Sequence, residues 1–153
     1  MLTLRHNDSL AVAVSTAIRQ GDLQSLERLI DEHPELVSAR IQDEKRASRT
    51  LLHIATDWPG HFPNGSAVVR VLIQCGADPN AAMVGSRHTE TALHWAASCD
   101  DVEVIDTLLD QGANLEATGA CIAGGTPLDD AVAFGQFNAA RRLVDRGART
   151  KLW

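Results

Sequence analysis

Apolar residues recur at helical spacing in two runs near the start of the chain. Leu10, Val14, Ala17 and Ile18 form the first, and Leu23, Leu26, Leu29 and Ile30 the second, with Gly21-Asp22 between them. The pattern predicts two amphipathic helices joined by a tight turn, the first entered through an Asp8-Ser9 cap. Arg5 followed by the apolar run from Leu10 to Ile18 imitates a leader peptide, but Asp8 and the helical spacing favour a folded helix.

The same alternation returns downstream in step with two short phrases. Thr50-Leu-Leu-His53-Ile-Ala55, Thr91-Ala-Leu-His94-Trp-Ala96 and Thr126-Pro-Leu-Asp129-Asp-Ala131 are copies of one, spaced 41 and 35 residues apart. Gly76-Ala-Asp-Pro-Asn80, Gly112-Ala-Asn-Leu-Glu116 and Gly147-Ala-Arg-Thr-Lys151 are copies of the other, and their glycines predict helix ends. Between the phrases lie two helical patterns each time. The second holds Val68-Val69-Arg-Val71-Leu72-Ile73, Val104-Ile105-Asp-Thr-Leu108-Leu109 or Ala139-Ala140-Arg-Arg-Leu143-Val144.

From residue 50 to 153 the chain resembles the ankyrin-repeat family, whose signature is T-P-L-H-x-A at a period of about 33 residues. The resemblance implies an all-α solenoid of helix-turn-helix units with β-hairpin fingers, in which fingers and first helices line a concave face. It gives about four repeats in one domain spanning 1–153: an N-terminal cap at approximately 8–36, then units at 50–82, 91–118 and 126–153. Ala55, Ala96, Ala97 and Ala131 then let first helices approach closely. Residues 36–49 are expected to be a solvated, charged finger loop. In the family the His of the phrase is structural and bonds the next finger, which assigns that role to His53 and His94.

Composition narrows the function. In 153 residues a net charge of −6 disfavours nucleic acid as the main partner. No apolar stretch is long enough to span a bilayer, and three cysteines without C-x-x-C spacing suit a reducing cytoplasm. No G-x-S-x-G occurs, no Gly-Lys-Ser/Thr follows the glycines of 119–125, and His94 and Cys99 lie on opposed helix faces. No catalytic residue, cofactor or metal is therefore expected.

Breaks in the repeat carry the candidate site. Asp57-Trp-Pro-Gly-His61-Phe-Pro-Asn-Gly65 lengthens the first full unit, as a loop either shaped for binding or folded over the helix ends. The fingers at Met83–Glu90 and Gly119–Gly125 are also long. Trp58, Cys99 and Phe134 share one rung, which in the family faces the groove. Asp130 stands where family members carry an apolar residue, so it needs a partner or a shifted pKa. These features predict a protein or peptide partner held in the groove by Asp57, Trp58, His61, Met83, His88, Glu90, Trp95, Cys99, Asp130 and Phe134. The alternative is a small-molecule or enzyme site around Asp130, Trp95, Trp58, His61 and His88. Arg141, Arg142, Arg146, Arg149 and Lys151 form a basic end that could meet an acidic partner. Leu152 and Trp153, beyond the last phrase, are expected to mark either a shortened chain or an open end covered by tight packing or self-association.

Overall fold

The computed structural model describes residues 1–151, so the expectation for Leu152 and Trp153 lies outside the described residues. Eight helices follow one another in pairs: α1 (Ser9–Gln20) with α2 (Leu23–Glu32), α3 (Leu51–Ala55) with α4 (Gly65–Gln74), α5 (Ala92–Ser98) with α6 (Val102–Asp110), and α7 (Pro127–Ala133) with α8 (Phe137–Asp145). First helices stack on first helices and second on second along the chain, the packing of a helical repeat solenoid. One contiguous apolar cluster runs from Ala11 to Ala148. Its narrow layer is alanine, with Ala96, Ala97 and Ala131 fully buried between first helices. Aliphatic residues such as Leu72, Ile105, Leu108 and Leu143 fill the second-helix layer.

Each of α3, α5 and α7 begins with the same pair of reciprocal bonds. The Thr hydroxyl sits against the third helical residue, whose side chain accepts the Thr backbone N–H: His53 for Thr50, His94 for Thr91, Asp129 for Thr126. At the far end of each unit Gly76, Gly112 and Gly147 take positive φ, as the helix-ending phrase requires.

Two expectations are corrected. The segment before Thr50 is a finger, but not a solvated one: after a 3-10 turn at Pro34–Ser38, strands β2 (Arg40–Gln42) and β3 (Ser48–Thr50) pair as an antiparallel hairpin that buries Ile41, Ser48 and Thr50. β1 (Thr3–Arg5) adds in parallel to β2, pairing Leu4 with Ile41, so the all-α solenoid carries a small three-stranded sheet. Asp8 precedes α1 as expected, yet its carboxylate turns back to accept the Arg5 N–H at 2.8 Å rather than capping the helix. Part of the basic end is tied into the stack: Arg142 pairs with Asp106 and Arg146 with Asp110 at 2.7 Å, joining α8 to α6. Asp100 likewise reaches into the next unit, accepting the Ala139 N–H at 2.7 Å near the start of α8.

The long loop after α3 folds onto the neighbouring unit. His61 donates its backbone N–H to Asp101 Oδ2 at 2.9 Å, and its Nε2 bonds the Cys99 carbonyl at 2.8 Å. Gly60 passes so close that a Cβ there would stand 2.7 Å from that of Cys99, and its φ of +69° is one that glycine favours. These anchors hold Trp58 out over the finger side of the first helices.

Candidate functional site

Trp95, on α5, is the centre of the finger side. Its Nε1 donates to Glu90 Oε2 at 2.9 Å, and its ring meets His53 edge-on with centroids 4.9 Å apart. Arg49, at the end of the first hairpin, places its guanidinium 6.0 Å from the Trp95 centroid and donates to Asp57 Oδ2 at 3.0 Å. Asp57 in turn accepts the Trp58 backbone N–H at 2.9 Å, so the backbone that carries this ring is held by a chain of bonds that starts at β3.

A cleft of about 390 Å³ opens beside Trp95, lined by Asp57, Trp58, Glu90, Cys99, Cys121 and Phe134 among others. Trp58 is 79% exposed and Phe134 49% exposed, so two rings stand at the cleft unpacked. Cys99 is the buried floor. Its thiol points toward the Thr56 carbonyl at 3.7 Å, and burial with the nearby Asp101 and Asp57 charges pushes it up to about 11, which leaves it unreactive. Met83 and His88 line an adjoining hollow of about 410 Å³ on the other side of Trp95, together with Arg49 and Lys45.

Six of the ten expected residues thus share one cleft, and two border the next hollow. Asp130 sits beneath, fully buried. His61 is the exception: it lies in a separate hollow with Phe62 and Asp100–Glu103, where it fastens the loop, and it does not join His88 or Glu90. Arg49, Cys121 and Gln136 were not expected. Arg49 was hidden in a charged stretch that read as solvated, and Gln136, which donates to the Ser98 carbonyl at 2.6 Å, follows no motif.

Under the cleft lies an acid pair. Neither Asp130 oxygen receives a hydrogen bond from an N–H or hydroxyl among the described residues. Burial, then the hydrogen bond to Glu90 and the Glu90 charge, push the Asp130 carboxyl up to about 8, so it keeps a proton at neutral pH and donates it to Glu90. Burial works to raise Glu90 too, but the bonds from Asp130 and the Cys121 N–H (3.0 Å to Oε1) and the nearby imidazoles hold it below its ordinary value. His53 and His94 bond the Glu90 and Gly125 carbonyls through Nε2 at 2.8 and 3.1 Å, and burial holds His53 near 4 and His94 below its usual value.

Stacked helix pairs with finger-side clefts and capped, bridging histidines define a helical repeat scaffold. Residues 63–152 match the family described as ankyrin repeats (3 copies), and the chain belongs to that family. The first helix pair lies outside the match but packs in the same manner. Among similar proteins are the E3 ubiquitin-protein ligase KEG of Arabidopsis thaliana, 30% identical over 75% of this chain and 7% of its own length, and Protein PhlB of Serratia liquefaciens, 30% identical over 92% and 56%. Rat Protein fem-1 homolog A is 36% identical over 46% of this chain and 12% of its own length. The chain therefore spans about half of PhlB and a small part of the other two. Ankyrin repeats are in general protein-interaction modules. No helix among the described residues is long and apolar enough to cross a membrane.

Proposed function

We propose that this chain is a non-catalytic interaction module that holds a polypeptide segment along the finger side of its first helices, with Trp58 and Phe134 gripping it and Trp95 and Cys99 as the floor. The observation that carries this reading is the pair of exposed rings at one cleft, Trp58 on a bonded loop and Phe134 at the end of α7, on a scaffold whose core needs neither. The cleft is open to solvent rather than enclosed, which suits an extended chain better than an enclosed small molecule. Against the enzyme alternative, His61 lies apart, Asp130 is sealed from the cleft, and the Cys99 thiol is held protonated. The acidic net charge favours a protein over a nucleic acid, and the three unpaired cysteines favour a reducing compartment such as the cytoplasm.

The test is a peptide-display selection on the whole chain, followed by calorimetry of the selected peptides. Trp58→Ala and Phe134→Ala are each expected to weaken binding by about 1 kcal/mol or more, roughly fivefold in Kd, with little change in Tm. Peptides that bind both variants as well as the parent chain would refute the cleft assignment.

A further inference from the structure

We propose that Glu90, Asp130 and Cys121, with His88 at the edge, form a site for a thiophilic divalent cation of the zinc type. The proposal is independent of the peptide reading. One carboxylate oxygen each from Glu90 and Asp130 and the Cys121 sulfur lie within 4.8 Å of one another, a spacing that modest side-chain rotation closes onto metal bonds of about 2.0–2.3 Å.

Two further observations point to a cation. Asp130 is completely buried, faces this cluster, and neither of its oxygens accepts a bond from any N–H or hydroxyl among the described residues. His88 Nδ1 is also buried without a hydrogen bond, and it lies 3.3 Å from Glu90 Oε2. Asp130, met only by a second carboxylate, and His88 Nδ1, without a hydrogen bond, both face Glu90, and a cation would satisfy them. Two oxygens and a sulfur, with the His88 imidazole beside Glu90 as a further nitrogen, suit zinc or its neighbours, not magnesium or calcium, which take oxygen shells.

Glu90 is already oriented for the task. Trp95 Nε1 and the Cys121 backbone N–H each hold one of its oxygens and leave a second lone pair on each. His94 is not available, since both its ring nitrogens are committed to Thr91 and Gly125. The ligands come from the residue before the α5 cap, from α7 and from the finger between them, so a bound ion would fasten that finger to two units. Coordination displaces the Cys121 thiol proton and the proton shared by Asp130 and Glu90 to buffer.

The experiment titrates chelator-stripped protein with zinc alone by calorimetry and with cobalt(II) by absorption. The expected result is one ion per chain and a thiolate-to-cobalt charge-transfer band. Cys121→Ser should abolish the band and weaken zinc binding by about tenfold or more, as should Asp130→Asn for affinity, while Cys75→Ser changes neither. Absence of saturable binding, binding without the thiolate band, or parent affinity in the Cys121→Ser chain would overturn the proposal. Cys121 is exposed on its finger, so that variant decides the matter even if Asp130→Asn fails to fold.

Discussion

His53 shows how a single side chain ties two units together. Its Nδ1 accepts from the Thr50 N–H at 3.2 Å while its Nε2 donates to the Glu90 carbonyl at 2.8 Å, so the ring must be neutral with the proton on Nε2. Burial is the main reason its pKa sits near 4, and the Arg40 and Arg49 charges work in the same direction, while the Glu90 carbonyl bond and charge oppose them. The unfolded ring titrates near 6.5. Folding therefore gains its full contribution from this group above pH 6.5 and loses it as pH falls from 6.5 toward 4, a loss of up to about 3 kcal/mol. Urea unfolding measured from pH 7 to pH 4.5 should show stability falling on this limb, and a His53→Gln chain should show a shallower fall. An unchanged slope would mean that the imidazole is not the sensitive group.

Asp130 works in the opposite sense. Its buried carboxyl must hold a proton that the unfolded chain releases, so it opposes folding at neutral pH. In metal-free protein, Asp130→Asn can donate to Glu90 without that proton and should keep or raise Tm. A drop of several degrees would show that the acid itself holds α7 in place.

At the level of elements, the long loop after α3 is positioned by its contacts with α5 and the start of α6. Gly60→Ala places a methyl against Cys99 Cβ and forces a left-handed φ on alanine, and should cost roughly 1–3 kcal/mol. Because Trp58 is next but one along the same loop, its fluorescence should change with the substitution. A variant with parent stability and parent emission would show that the loop is not fastened there. Asp100→Ala removes the acceptor at the start of α8 and is expected to cost about 1 kcal/mol by chemical denaturation, without altering peptide binding.

The helices were legible in the sequence because the first helices carry a repeated cap, from Thr50 onward, and the second helices an apolar face. The small sheet was not. Leu2 and Leu4 do alternate, but three-residue strands leave a pattern too short to separate from a loop, and β1 pairs with a partner that is far away in sequence. Within the site, Trp58 and Phe134 stood out because they share a rung that faces the groove in the family, and Asp130 because it departs from the repeat. Cys121 and Arg49 did not, since their placement comes from finger hairpins whose tips obey no periodicity. His61 was misplaced for the same reason: the loop folds sideways to Asp101 rather than over the cleft.

For the molecule as a whole, charge serves the stack more than the solvent. Acids of the third helix pair, Asp100, Asp101, Asp106 and Asp110, all bond neighbouring units, so the crowding of negative charge there is matched by Arg142, Arg146 and backbone N–H groups. On the finger side, the exposed rings of Trp58 and Phe134 flank a bonded floor. The most direct test of that assignment is to map a display-selected peptide onto the isotope-labelled chain by amide chemical-shift perturbation. The account predicts that shifts gather at residues 56–58, 88–99, 121 and 134–136. Shifts gathered instead on the outer faces of α4, α6 and α8 would contradict it.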